Sequence, residues 1–102
     1  MTYTIRFLPE IEYDLVVGYR WYESKYAGLG EEFLRLFYSL AIEISHDPML
    51  SPKVYKEFRR RLMSRFPYAV YFRIEARQII IFGLFHGARD PSAIKRNLTN
   101  RE

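Results

Sequence analysis

Apolar residues recur at steps of three and four along the first half of this chain and at steps of two from Val54 onward, so the pattern divides it into a helical part and a sheet-forming part. Thr2 to Phe7 reads Thr, Tyr, Thr, Ile, Arg, Phe, a β-branched and aromatic stretch that predicts a short strand ahead of Pro9. Pro9 suits the first turn of a helix, where Glu10, Glu12 and Asp14 meet the positive end of the helix dipole. Ile11, Leu15, Gly18 or Tyr19, Tyr22 and Tyr26 then line one helical face, which Gly28 and Gly30 end. A second helix restarts near Leu29, with Glu31 and Glu32 in its first turn. Phe33, Leu36, Phe37, Leu40, Ala41 and Ile44 form its stripe to about Asp47, and Pro48 stops it. So short a link makes the two helices antiparallel neighbours.

Met49 to Lys53 is a loop. Beyond it, Tyr55 to Met63, Tyr68 to Ile74 and Gln78 to His86 predict three strands, and Glu75-Ala76-Arg77 is short enough to be a hairpin turn between the last two. Ile79, Ile80, Ile81, Phe82, Leu84 and Phe85 are apolar on both faces, which marks an interior strand. The N-terminal strand is expected on its free side. After Arg89-Asp90-Pro91, Ser92 is expected to cap a short basic tail helix carrying Ile94 and Leu98. The predicted class is α+β, in the order strand, helix, helix, strand, strand, strand. An antiparallel helical hairpin would cover one face of a four-stranded, mainly antiparallel sheet, with residues 1–102 as one domain. The other sheet face is expected to be free for function.

Charge sharpens this division. Residues 1–52 hold four basic and eight acidic side chains, a balance of −4, whereas residues 53–102 hold twelve basic and four acidic, a balance of +8. The formal +4 of the whole chain therefore hides a positive field on the sheet-forming half. Such a field speeds association with polyanions, nucleic acid or an acidic protein segment alike. Cysteine is absent, which excludes disulfides, thiol catalysis and thiolate metal sites, and the well-separated His46 and His86 make a poor metal cluster. Neither a metal nor another cofactor is expected. No apolar stretch approaches the ~20 residues of a spanning helix, and Met1-Thr2-Tyr3-Thr4-Ile5-Arg6 lacks a signal-peptide core. The expectation is a cytoplasmic protein without a membrane partner.

Candidate chemistry concentrates between Arg59 and Pro91. Period two sends Arg59 and Arg61 to one face and Arg60 to the other, with Phe58 and Leu62. Guanidinium groups suit phosphates and carboxylates, although an arginine-rich strand also serves simply to keep a sheet edge from aggregating. Arg65, just before Phe66-Pro67, is expected at a strand end with reach beyond it. Metal-free cleavage of RNA needs a base, an acid and cationic donors. His86 would supply proton transfer, Arg65 and Arg89 the donors, and Glu57 is the nearest carboxylate to nominate. The plainer reading has His86 ending its strand against a backbone group, and Arg89-Asp90 forming a turn with an internal ion pair. Trp21, Tyr22 and Tyr26, at helical spacing beside a glycine break, read first as packing of the hairpin. His46, beside Asp47-Pro48, is expected at a helix C-terminus.

Several of these segments together resemble a known family. Trp21-Tyr22-Glu23 ahead of Ala27-Gly28-Leu29-Gly30-Glu31-Glu32-Phe33, Arg59 with Arg65-Phe66-Pro67-Tyr68 and Val70-Tyr71, and His86-Gly87-Ala88-Arg89-Asp90-Pro91 follow one another in an order that resembles the RelE/ParE superfamily of toxins from type II toxin–antitoxin systems. The likeness covers nearly the whole chain and is closer to the ParE branch, often labelled plasmid stabilisation proteins. It implies a growth inhibitor acting on DNA gyrase and neutralised, in a hetero-oligomer, by a cognate antitoxin, a short acidic protein. On this reading Arg59, Arg61, Arg65 and Arg89 contact the target, while Trp21, Tyr22, Arg59 and Arg65 contact the antitoxin. The alternative is a RelE-like, ribosome-dependent messenger-RNA endoribonuclease with His86, Arg65 and Arg89 as catalytic groups. A second alternative is a non-catalytic nucleic-acid-binding domain. Ribonuclease members of the family commonly carry a tyrosine or second histidine at the end of the last strand or in the tail, whereas none follows His86 here, and this places the gyrase reading first.

Overall fold

The computed structural model describes residues 2–102. The helical half forms α1 (Glu10–Lys25) and α2 (Leu29–His46). Their apolar stripes face the sheet: Ile11 and Leu15 from α1, and Phe33, Phe37, Leu40 and Ile44 from α2, are buried together. At the junction Gly28 takes a left-handed φ of 89°, which favours glycine. The Glu23 carboxylate turns back to accept from the amides of Gly28 at 3.0 Å and Gly30 at 2.9 Å. Those amides begin α2 and have no partner within it, so Glu23 caps the helix from its neighbour. Gly30 lies inside α2 rather than ending α1. A Cβ there would sit 2.8 Å from the carbonyl oxygen of Tyr19, so only glycine lets the helices approach this closely.

The sheet has strands β1 (Thr4–Phe7), β2 (Lys53–Tyr55), β3 (Phe58–Leu62), β4 (Tyr68–Glu75) and β5 (Gln78–His86), in the spatial order β1-β5-β4-β3-β2. It therefore has five strands where four were expected. The predicted Tyr55 to Met63 strand folds back on itself at Lys56 and Glu57, with Lys56 at a φ of 51°, and Lys53–Tyr55 becomes a separate edge strand. As the two-faced apolar run predicts, β5 is interior. It pairs antiparallel with β4 and parallel with β1, from Thr4 opposite Gln78 to Phe7 opposite Ile81. An extra residue at Phe82 bulges the β4–β5 ladder, so that Tyr71 faces Gly83 while Phe72 faces Ile81. Gly83 is thereby tucked beneath the Phe85 ring.

Two layers cover the sheet on opposite faces. The hairpin packs on Val70, Phe72, Ile79, Ile81 and Leu84. The tail helix α3 (Pro91–Asn100) lays Ile94 and Leu98 on Phe58, Ala69, Tyr71, Ile80, Phe82 and Phe85. The face expected to be free is thus partly roofed. Its cap is Asp90 rather than Ser92: the Asp90 carboxylate accepts from the Ser92 amide at 3.1 Å, and Pro91 occupies the first helical position.

β1 stops opposite Ile81, so beyond that point the outer backbone of β5 has no strand beside it. Two side chains take the place of one. The Leu84 amide donates to Asp14 Oδ2 at 3.2 Å, and the Phe82 carbonyl accepts from Arg101 Nη1 at 2.8 Å. Arg101 then closes on Asp14 with two bonds of 2.8 and 3.0 Å. Asp14, read from the sequence only as an acid near the positive end of the α1 dipole, is a buried tie between α1, β5 and the end of α3. Among the described residues, no helix is long and apolar enough to cross a membrane.

Candidate basic groove

The arginines singled out from the sequence do not form one surface. Alternation along β3 holds, but Arg59 and Arg61 turn inward to the loop after α2. Arg59 Nη1 donates to the Ser51 carbonyl at 2.6 Å. Arg61 donates through Nε to Ser51 Oγ at 2.7 Å and through Nη2 to the Asp47 carbonyl at 3.3 Å, with Glu43 at 3.7 Å. Both tie β3 to the 3-10 turn Pro48–Leu50. Arg65 lies in the β3–β4 turn at a φ of 69° and binds Glu32 Oε1 at 2.6 Å, an oxygen shared with Arg35. Its side chain is 62% exposed, and an exposed bridge of this kind contributes at most about 1 kcal/mol, so a partner can take it over.

Arg89 lies on the other side of the sheet, its guanidinium 5.0 Å from the centroid of the Phe85 ring. No Arg89–Asp90 ion pair forms, because Asp90 is spent on capping α3. The residues proposed for catalysis therefore do not converge. His86 stands edge-on to Tyr68 at 5.2 Å, on the hairpin side, and its Nδ1 accepts from the Ala88 amide at 3.0 Å. Arg65 reaches toward α2, and Arg89 faces α3. Glu57, nominated as the carboxylate for His86, lies in the β2–β3 turn at the far end of the sheet and pairs with Lys53 at 3.0 Å. Tyr68 is pushed above the usual phenol range by burial and then by the charge of Asp14. Tyr22 is raised likewise, first by burial and then by Tyr68.

The aromatic pair of the first helix separates too. Tyr22 packs inward, with ring centroids 5.3 Å from Phe33 and 4.6 Å from Phe66. Trp21 points outward, with Lys25 Nζ 4.1 Å from its ring centroid.

What the structure does assemble is a groove of about 300 Å³ beside α3. Its floor is Ala69 and Tyr71 of β4, its walls are Val54, Tyr55 and Leu62 on one side and Ile94 and Leu98 on the other. Leu62 is 65% exposed, an apolar side chain left open to water in a recess. Three cations rim it: Arg60 from β3, Arg89 from the β5–α3 loop and Lys95 from α3. No carboxylate lines it, and among the described residues none of the three has an acidic partner. The Tyr55 hydroxyl on the wall is held below the usual phenol range, first by its hydrogen bond with Thr99 and then by Lys56 nearby. Apolar floor and uncompensated positive rim together suit an extended or helical segment that carries both apolar and acidic groups.

Of the sequence candidates only Arg89 belongs to this groove. Arg60, Leu62 and Lys95 were not singled out. The signal for Arg60 and Leu62 was period two, which had already set them opposite Arg59 and Arg61. Lys95 could be placed only once α3 was known to lie across this face.

This arrangement, a five-stranded mixed sheet with a helical hairpin on one face and a C-terminal helix on the other, is an α+β fold shared with a solved structure. The particular likeness is to a chain of the chromosomal ParDE TA system from P. aeruginosa, with a TM-score of 0.72 over 83% of this chain and 96% of that one. Sequence identity is 14%, so the likeness is one of fold. No family model matches the chain, and no curated protein matches it.

Proposed function

We propose that this protein is the toxin of a type II toxin–antitoxin pair, a ParE-like growth inhibitor that acts by binding rather than by cutting RNA. The observation that carries the reading is the basic, apolar-floored groove on a ParE-like fold. An acidic antitoxin segment fits it: its apolar side chains would cover Leu62, Ala69 and Tyr71 while its carboxylates meet Arg60, Arg89 and Lys95. A segment that orders on binding can cover such a groove and continue across the surface to Arg65 and Trp21. DNA gyrase is proposed as the target on the family resemblance, and the toxin–antitoxin hetero-oligomer on the same ground.

Binding is preferred to ribonuclease chemistry for a geometric reason. Arg89 lies on the α3 side of the sheet while His86 and Arg65 lie on the hairpin side, and among the described residues no carboxylate is paired with His86. Induced expression of the chain should arrest growth, co-expression of an acidic protein encoded alongside it should relieve the arrest, and purified protein should inhibit gyrase supercoiling. Undiminished growth would remove the toxin reading. Unaffected supercoiling at saturating protein, with messages cut at codon boundaries in a translation extract, would replace gyrase by the ribosome.

A further inference from the structure

Tyr13, Val17 and Trp21 recur at steps of four along α1, on one helical face, and are 71%, 48% and 57% exposed. That face points away from the sheet, toward which α1 turns Ile11 and Leu15. Nor does it belong to the recess between the two helices, which α1 flanks with Glu12, Val16 and Tyr19. The outer face of a surface helix is ordinarily polar, so two aromatic rings and a valine set in line there call for a partner. The stripe runs between charges of opposite sign. Glu10 precedes it in the first turn, and Lys25 follows it in the last, its ammonium 4.1 Å from the Trp21 ring centroid. Exposed Arg20 lies beside it. Among the described residues none of these three charges forms an ion pair.

We propose that this stripe is a two-fold contact between two copies of the chain, α1 lying antiparallel against α1 of the second copy with Val17 on the axis. Turned about Val17, the stripe complements itself. Tyr13 comes against Trp21 of the second copy, an aromatic pair on each side of the axis, and Glu10 comes beside Ser24 and Lys25 of the second copy. The charges select this occupant. A parallel pairing would set Glu10 against Glu10 and Lys25 against Lys25, and a segment of uniform sign would be repelled at one end of the stripe, by Glu10 if acidic and by Arg20 and Lys25 if basic. Three side chains and their flanks cover well under the ~800 Å² per partner of a standard interface, so the dimer is weak, with a dissociation constant on the order of 100 μM. The contact lies on the hairpin layer and leaves the groove beside α3 open on both copies. An acidic segment that continues to Trp21 competes there with the second copy.

The test uses the full chain, and its single tryptophan is the probe, because Trp21 lies in the proposed contact. Sedimentation from about 10 μM to about 1 mM should show the mass rising from 12.3 kDa toward twice that, and Trp21 emission should shift to the blue with the same midpoint. Val17→Glu, an exposed change that sets two carboxylates face to face on the axis, should abolish both signals while leaving the melting temperature nearly unchanged. Glu10→Lys should weaken association roughly tenfold at low salt, as two exposed charge contacts allow, and adding Lys25→Glu should restore it by exchanging the signs. A mass fixed at 12.3 kDa throughout, association that persists in Val17→Glu, or no recovery in the double reversal would each overturn the proposal. None of these readouts depends on growth arrest or supercoiling, so this inference and the proposed function fail separately.

Discussion

Removing Arg101 tests how much the fold depends on the tie at the open side of β5. In the structure the side chains of Asp14 and Arg101 are only 6% and 12% exposed, so little solvent screens them. Arg101→Met takes two of the three donors from a buried carboxylate and leaves the Phe82 carbonyl without its partner. Breaking a buried pair from one side costs about 3–5 kcal/mol, because the remaining charge is stranded. Against a total stability of about 5–15 kcal/mol, that is about a fifth of the margin or more. Asp14→Leu should cost a similar amount. In the double variant no charge is stranded, and only the backbone groups of Phe82 and Leu84 lose partners, at about 1–3 kcal/mol each. The cycle should therefore show a coupling of at least about 2 kcal/mol, with the double variant far less damaged than the sum of the singles. Urea unfolding followed by far-UV circular dichroism measures all four free energies. A loss below about 1 kcal/mol in Arg101→Met, or additivity within about 0.5 kcal/mol, would refute the reasoning.

Four further outcomes are expected. Gly83→Ala should lower stability by about 1–3 kcal/mol in a thermal melt, since a methyl group there is driven into the Phe85 ring. Arg59→Ala should cost about 1–2 kcal/mol by orphaning the carbonyl of buried Ser51, while leaving binding of an acidic, leucine-bearing peptide unchanged by calorimetry. Arg60→Ala with Lys95→Ala should do the reverse, weakening that peptide about tenfold, more so at low salt, at little cost in melting temperature. Finally, Tyr22 and Tyr68 have folded-state values raised above the ordinary 10.0. Above pH 10 the unfolded chain loses those protons first and the folded one keeps them, so stability is intact below that pH and falls as pH rises toward the folded values. Tyr68→Phe should flatten this alkaline loss in pH-dependent urea unfolding.

The hairpin, the β4–β5 ladder and the place of β1 were legible because each rests on local rules: periodicity, short links and a strand apolar on both faces. The fifth strand was not. Its turn at Lys56-Glu57 carries none of the Gly, Pro or Asn signals of a chain reversal, and Lys56 takes its left-handed backbone without any such mark. The tail helix was visible through Ile94 and Leu98, but which face it would roof depends on Asp14, Arg101 and Phe82 meeting from distant parts of the sequence. Asp14 and Arg101 stand 87 positions apart, beyond any local pattern. The candidate site was mostly hidden for a related reason. Charge and alternation found the arginines of β3, yet which of them are bound inside depends on the Ser51 carbonyl and hydroxyl, groups that a sequence reading passes over.

The parallel pairing of β1 with β5 also governs when the molecule becomes whole. A nascent chain holds its first strand and both helices well before their central partner, residues 78–86, has been made. Until then Phe33, Phe37 and Ile44 have no Ile79 or Ile81 to lie on. Contacts so distant along the chain close more slowly than local ones. The groove beside α3, which needs Gly87, Arg89 and the tail helix, can be completed only after nearly the whole chain has been made.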